Sequence, residues 1–374
     1  MLSVRSFITL SSLLLLWLPI VSTGQTFTSE NTHFKLETVT TGLEHPWSLA
    51  FLPDGSVLVT ERAGRLRVIQ NGELLTQAVR DLPSLAVSGQ GGLLDVLLHP
   101  DFQENRTLFL SYAHSSRKGM TTRVARAVIE NGQLKEVVVI FEALPRSNTS
   151  RHFGGRMAFD ASGYLYISVG DRGEMDRAQD TQDDAGGVHR ITVNGKPASG
   201  NPGLDDKGTK DTLFTWGNRN IQGMTVHPES GDIWTHEHGP RGGDEINILT
   251  AGTNYGWPEI TYGIGYSGLP ITLDTAKEGM AQPLHYWDPS IAPSGMAFYT
   301  GSEFPEWQGN LFVGALKLRK LVRLEIENGR VTNEEDLLTN LKERIRDVRA
   351  GPDGELWLLT DSPEGKVYRV VPAQ

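Results

Sequence analysis

Trp47-Ser-Leu-Ala-Phe-Leu-Pro-Asp-Gly-Ser-Val-Leu-Val-Thr60 reads as an apolar strand, a tight Pro-Asp-Gly turn and a second apolar strand, a β-hairpin in one line. The pattern returns along the chain. It recurs in Gly92 to Asp101 with Thr107 to Tyr112, in Gly155 to Val169 and in Gly223 to Thr235. Two further copies are Gly295 to Tyr299 with Asn310 to Gly314, and Asp347 to Thr360. Successive copies start roughly 45 to 70 residues apart, room for a four-stranded blade and its loops. Stretches such as Gly64 to Ile69 and Lys320 to Ile326 supply outer strands. Six copies of one hairpin predict an all-β, six-bladed β-propeller. A pair of β-sandwiches is the rival, but sandwiches have no reason to repeat one hairpin six times.

Composition agrees. The 374 residues include 41 Gly and 19 Pro, as short strands joined by turns require. The formal charge of −10 argues against a nucleic-acid partner, because phosphate binding needs a basic surface. Without cysteine, disulfides, thiolate metal sites and thiol nucleophiles are excluded. At the N-terminus, Arg5 precedes the apolar stretch Phe7 to Val21 and the small or polar run Ser22-Thr23-Gly24. This predicts a signal peptide over residues 1–24 and an exported, periplasmic protein. The stretch is shorter than the ~20 apolar residues of a membrane span, so no span is expected after cleavage. No Gly/Ser- or Pro-rich linker divides residues 25–374, which read as one propeller domain; residues 25–35 read as a polar lead-in.

The topology predicts where the chemistry lies. The start of a hairpin's first strand and the end of its second share one end, and in a propeller those ends meet around the axis. Before first strands stand Gln90, His152, Arg219, Asn220, Arg344 and Arg346; after second strands stand Asp171, His236 to Arg241, Lys317 and Asp361. Arg219, Lys317, Arg344 and Arg346 converging on one axis call for a multiply anionic ligand there. His152 is a candidate general base and Asp171, from the same blade, a candidate for orienting it.

His236 to Glu245 is the densest polar stretch. His-x-His beside Glu invites zinc, but a strand end does not fix tetrahedral geometry. The Gly-Pro continuation offers backbone carbonyls, hard ligands for Ca²⁺. Trp287 precedes the fifth hairpin and reads either as an aromatic wall for a planar ligand or as a core aromatic.

The motifs His45-Pro46-Trp47, Gln90-Gly91-Gly92-Leu93-Leu94-Asp95, His152-Phe153-Gly154-Gly155-Arg156, Glu237 to Asn247, Asn254-Tyr255-Gly256-Trp257-Pro258 and Arg344-Ile345-Arg346-Asp347 resemble the glucose/sorbosone dehydrogenase family. Within it, they look like the bacterial soluble aldose sugar dehydrogenases. The resemblance implies pyrroloquinoline quinone (PQQ), a planar tricarboxylate, as cofactor. By position, Arg344, Arg346 and Lys317 would hold its carboxylates or quinone edge, with Gln90, Arg219 and Asn220 hydrogen-bonding it. The carbonyls of Gly239 and Pro240 would ligate Ca²⁺, and a second, structural Ca²⁺ is implied around Glu245 and Tyr255. The implied reaction oxidises an aldose at C1 to the lactone and passes electrons to an acceptor the sequence does not identify. His152 would act as base, with Arg219 stabilising the oxyanion. Preferred sugar and monomer against homodimer stay open. The chain departs from the family pattern at Arg151, Ile221 and His189. Of the rival functions, a calcium-dependent hydrolase would need carboxylates at the axis, and a cofactor-free binding propeller would be expected to lose His152 or the arginines.

Overall fold

The computed structural model describes residues 25–203, 208–352 and 354–373. The leader read in residues 1–24 lies outside them. Among the described residues, no helix is long and apolar enough to cross a membrane.

Six sheets, antiparallel but for the outermost pair of the third, stand in a ring; five run outward in sequence order from their innermost strand, and the sixth takes its outer strands from the N-terminal segment. The inner strands are Pro46–Phe51, Leu93–Leu98, Met157–Phe159, Ile221–Val226, Pro293–Phe298 and Ile345–Ala350, and each packs against the next around a closed circle. These are the first strands of the six hairpins. The second strands, such as Val57–Glu61 and Leu311–Ala315, are buried along their whole length because neighbouring blades cover both faces. Their unbroken apolar runs follow from that double burial. An apolar cluster fills each of the six gaps between blades.

The ring is closed by the N-terminal segment. His33–Leu43 pairs antiparallel with Gly365–Pro372 and becomes the outer strand of the sixth blade, with Thr26–Thr28 beyond it. The polar lead-in read from the sequence is therefore largely strand. Phe27 and Phe34 stack at 5.6 Å, and Phe34 meets Trp307 edge-on at 5.5 Å, anchoring the closure in the core.

The axis is not an open channel. Three buried charges and the half-buried Arg349 cross it beneath the upper rim: Arg156 reaches Asp347 at 2.9 Å and Asp95 at 3.4 Å, and Arg349 reaches Asp95 at 3.0 Å and Asp347 at 2.9 Å. Burial alone would lower the pKa of Arg349, but Asp347 and Asp95 outweigh it and hold the value above the ordinary one. This quartet ties blades 2, 3 and 6 together and forms the floor beneath the site.

Candidate functional site

Above the quartet lies an axial cavity of about 560 Å³. All six blades line it, through the loops before their first strands and after their second. Gln90, Asn220, Arg344 and Arg346 are on its wall, as the topology predicted. Its floor is Trp47, Leu94 and Phe153, an apolar cluster of its own, with the Arg156 guanidinium 4.1 Å from the Trp47 ring.

His152 stands beside this floor. Its Nδ1 lies 2.6 Å from Asp171 Oδ1. Asp171 accepts further bonds from Gly173 N (2.6 Å) and Trp257 Nε1 (2.9 Å). Burial works to raise its pKa, but the bonds from His152 and Gly173 and the charge of Arg219 keep it below the usual value. An ionised carboxylate only accepts, so the proton of neutral His152 sits on Nδ1 and Nε2 keeps its lone pair. Burial lowers the pKa of His152, Asp171 pulls it back, and Arg219 and Arg151 lower it again. The base is thus neutral at neutral pH. Gly170 makes this contact possible: a Cβ there would fall 2.3 Å from the His152 carbonyl oxygen.

Gln90 Oε1 accepts the backbone N–H of His152 (2.7 Å), so blade 2 braces the base. Asn220 Oδ1 accepts Gly154 N at 3.2 Å. Arg219 donates through Nη1 to the carbonyls of His238 and Gly239, both at 3.0 Å, and faces the Trp257 ring at 5.4 Å. His238 lines the cavity; burial, with Arg219 and Arg346 nearby, takes its pKa down to about 3 although the Pro293 carbonyl opposes. It is a neutral donor through Nε2 to Pro293 O (2.6 Å).

The cationic rim differs from its sequence reading in one respect. Asp361 accepts from Arg344 Nη2 (3.0 Å) and Arg346 Nη2 (2.9 Å) and pairs with His45 Nδ1 (2.8 Å). Burial opposes ionisation of Asp361, but Arg346, His45 and Arg344 hold its pKa far below the ordinary value. Part of the anion that the arginines demanded is therefore built in. The remaining excess is carried by Arg62, which lines the cavity, and by exposed Lys317, which follows the wall residue Leu316. The side chain of Lys317 has no hydrogen bond or ion pair among the described residues.

Trp287 corrects an expectation. It lies on the outermost strand of blade 4, His285–Trp287, packed in the apolar gap toward blade 5, with Nε1 on Glu334 Oε1 at 3.0 Å. The cavity is built from the ends of the two inner strands, and an outer-strand side chain does not reach it. Trp47 and Phe153 are the aromatics on the cavity floor, and Trp257, in the loop after Thr253–Asn254, reaches the site through its bond to Asp171; all three stood in quoted motifs.

The segment Gly239 to Gly243 forms a tight knot. A Cβ on Gly239 would lie 2.2 Å from Gly242 O and 2.3 Å from Gly243 O. Asp244 accepts Gly239 N (2.8 Å), Ile291 N (2.8 Å) and Ala292 N (2.9 Å), fixing the knot to blade 5. Pro240 follows in this turn; within His238 to Arg241 only His238 lines the axial cavity. A cation on Gly239 O would share that oxygen with Arg219.

Beside the knot is a second, much smaller cavity of about 10 Å³, lined by Glu237, Glu245, Tyr255, Trp257 and Thr261. Burial raises the pKa of both glutamates, and Glu237 adds to the rise at Glu245. Asn218 Oδ1 is buried there without a partner while its Nδ2 binds Glu237 at 2.7 Å. Two carboxylates, buried Glu237 and half-buried Glu245, face a space of one small ion with the single positive charge of Arg219 beside them, an acidic excess that fits a hard divalent cation. Tyr255 directs its hydroxyl away, to Ile248 O at 2.6 Å, and Glu237, which sequence reading passed over, lines the cavity together with Glu245. His236 packs instead against Gly223, away from both cavities' donors, and no cluster of three or more His, Cys, Asp or Glu is found among the described residues.

A propeller with a basic axial pocket and a buried His–Asp pair defines a class of ligand-binding or redox propellers. Comparison is more specific. The family model for Glucose / Sorbosone dehydrogenase matches residues 43–369, and the chain belongs to that family. It is 42% identical over 336 residues to the aldose sugar dehydrogenase YliI of Escherichia coli K12, covering 88% of this chain and 91% of that one. It is 26% identical to quinoprotein glucose dehydrogenase B of Acinetobacter calcoaceticus over 89% of this chain and 86% of the relative. Among solved structures, the apo soluble aldose sugar dehydrogenase of Escherichia coli superposes with TM-score 0.88 at 41% identity, over 91% of this chain and all (100%) of that one. The PQQ-bound aldose sugar dehydrogenase of Streptomyces coelicolor superposes with TM-score 0.75 at 27% identity, over 90% and 98%.

Proposed function

We propose that this protein is a PQQ- and calcium-dependent aldose sugar dehydrogenase that oxidises its substrate at C1 to the lactone and hands the electrons to an external acceptor. The observation that carries the reading is the buried His152–Asp171 pair, directly before Phe153 and Gly154 on the wall of a pocket that Arg344 and Arg346 also line. The reading is supported by the PQQ-bound Streptomyces coelicolor relative and by the aldose sugar dehydrogenases among its kin. Arg344, Arg346 and Lys317 would hold cofactor carboxylates, Gln90 and Asn220 would hydrogen-bond its edge, and Gly239 and Pro240 would ligate the catalytic Ca²⁺. Glu237, Glu245 and the backbone near Tyr255 would hold the structural ion. When bound, the quinone accepts the hydride from C1, and the calcium ion makes it more electrophilic.

The chain's own part is positioning and proton transfer. His152 Nε2 takes the proton of the anomeric hydroxyl, and Asp171 holds the ring and steadies the imidazolium that forms. Arg219 places positive charge beside the forming oxyanion, and Trp257 keeps Asp171 aligned. The leader read in residues 1–24 would export the enzyme.

The test is reconstitution of the purified chain with PQQ and Ca²⁺, followed by aldose-dependent dye reduction. Activity requiring both additions is expected; a folded protein that neither binds PQQ nor reduces dye would overturn the reading. Arg346→Met, which removes a charge-assisted contact of about 1.5–3 kcal/mol, is expected to weaken PQQ binding about 10- to 150-fold by fluorescence titration. In the reconstituted enzyme, kcat/KM should fall on the acid side with a limb below pH ~6.5, because burial lowers the pKa of His152 and only the neutral ring is a base. An acid limb above that pH would contradict this environment.

A further inference from the structure

Arg172 follows Asp171 with φ +58°, which turns its side chain back beneath the loop that carries His152. It is only 2% exposed, yet no carboxylate lies within ion-pair distance among the described residues. Burial, with Arg177 nearby, lowers its pKa to about 9, against the pull of Asp171 and Glu174. Its donors go to main-chain carbonyls instead: Nη1 to Arg151 O at 2.8 Å and Nη2 to Thr149 O at 2.9 Å. Thr149 Oγ1 returns a bond to Arg172 O at 2.5 Å, and the guanidinium lies flat against Phe153, 3.5 Å from the ring centroid. Filling this space would take only an aliphatic chain. A buried guanidinium without a carboxylate is costly, and here it grips the two carbonyls just ahead of His152, whose own φ of +52° is unfavourable for a side-chain-bearing residue.

We propose that Arg172 is the positioning residue of the candidate base: it clamps residues 149–153 onto the Asp171 loop, holding His152 Nδ1 on Asp171 and Nε2 toward the cavity. Blade 2 fixes the same loop from the other side through Gln90. The charged groups facing His152 are then constant: Asp171 from its own blade, Arg219 from blade 4 and Arg151 beside it, with the neutral His238 ring close by. This inference rests on the dehydrogenase reading for its kinetic consequence only.

The variant Arg172→Met keeps the chain length and the contact with Phe153 but removes both donors. Long-range ¹H–¹⁵N spectra of the cofactor-free chain should show His152 as the Nδ1–H tautomer in the wild type. In the variant, mixed tautomers and a His152 pKa moved up toward the ordinary value are expected. After reconstitution, kcat should fall about 10- to 100-fold, with sugar KM and PQQ affinity within about twofold, and Arg172→Lys should recover part of the loss. A folded Arg172→Met protein with unchanged tautomer and pKa overturns the proposal. Should that variant not fold, Thr149→Val, which removes the returning bond, decides in the same spectra, with a smaller shift in the same direction expected and no shift overturning it. Absence of dye reduction in the wild type would sink the dehydrogenase reading, while the spectra would still decide the clamp.

Discussion

Replacing His152 with alanine is expected to lower kcat for sugar oxidation by about 10³-fold, within the range a general base supplies. PQQ affinity and the melting transition should hardly move, because the ring touches neither the arginine rim nor an inter-blade core. Asp171→Asn should cost less, about 10²-fold, since the amide still fills the space but no longer steadies the imidazolium. It would also let the ring adopt the other tautomer, putting the proton on Nε2 where the lone pair is needed. Stopped-flow reduction of the reconstituted cofactor by sugar measures this step apart from dye turnover. A His152→Ala protein that retains most of the wild-type rate would remove His152 from the chemistry and leave Arg219 and bound water as the groups to examine.

The second large effect lies below the site. Asp95 joins Arg156 and Arg349 at the axis and accepts Met157 N at 2.9 Å and a bond from Ser48 Oγ at 2.5 Å. Asp95→Ala leaves buried Arg156 and half-buried Arg349 each short of a partner. A loss of about 3–5 kcal/mol is expected, read as a lower denaturation midpoint in guanidinium chloride. The floor would loosen with it, since Arg156 also supports Trp47. Exchanging all four charges for apolar side chains of matched volume should cost far less, because the penalty comes from the unpaired charge and not from the absence of the ion pairs. A single replacement with the wild-type midpoint would mean that water enters the axis and solvates the orphaned arginines.

The departures from the family pattern divide by what surrounds them. His189, where an aliphatic residue is usual, is fully buried, with one ring nitrogen 3.0 Å from Thr212 Oγ1 and the other 3.0 Å from Asp184 O. Burial holds its pKa below the ordinary value, so it acts as a neutral polar brace in blade 3. Ile221 is buried in the gap between blades 3 and 4, where an aliphatic residue serves. Arg151 contributes its carbonyl to the Arg172 bonds, and its side chain lies against Gly173, next to the His152–Asp171 pair.

The hairpins were legible because each is local: a Pro-Asp-Gly-type turn between two apolar runs needs no knowledge of the rest of the chain, and six repeats leave one architecture that uses them all. Hairpin polarity then placed Gln90, His152, Asp171, Arg219, Asn220, Arg344 and Arg346 at one end, and the structure brings them together there. What the sequence did not decide are pairings between residues far apart in it. Ring closure matches Lys35 with Val371, and no local pattern reports that partner. Asp361 was visible at the rim, but its neutralising of Arg344 and Arg346 depends on side chains meeting across the open end of the sixth hairpin. Trp287 looked like Trp47 in sequence; distance from the axis separates them, because strand order within a blade decides which ends reach the centre. Glu237 and Glu245 face one small cavity only because adjacent strands set them side by side, with Arg219 as the charge beside both. Local periodicity and turn chemistry thus determined the blades and the functional face, while the tertiary structure alone decided which charges are paired, which are left over, and so where a ligand can bind.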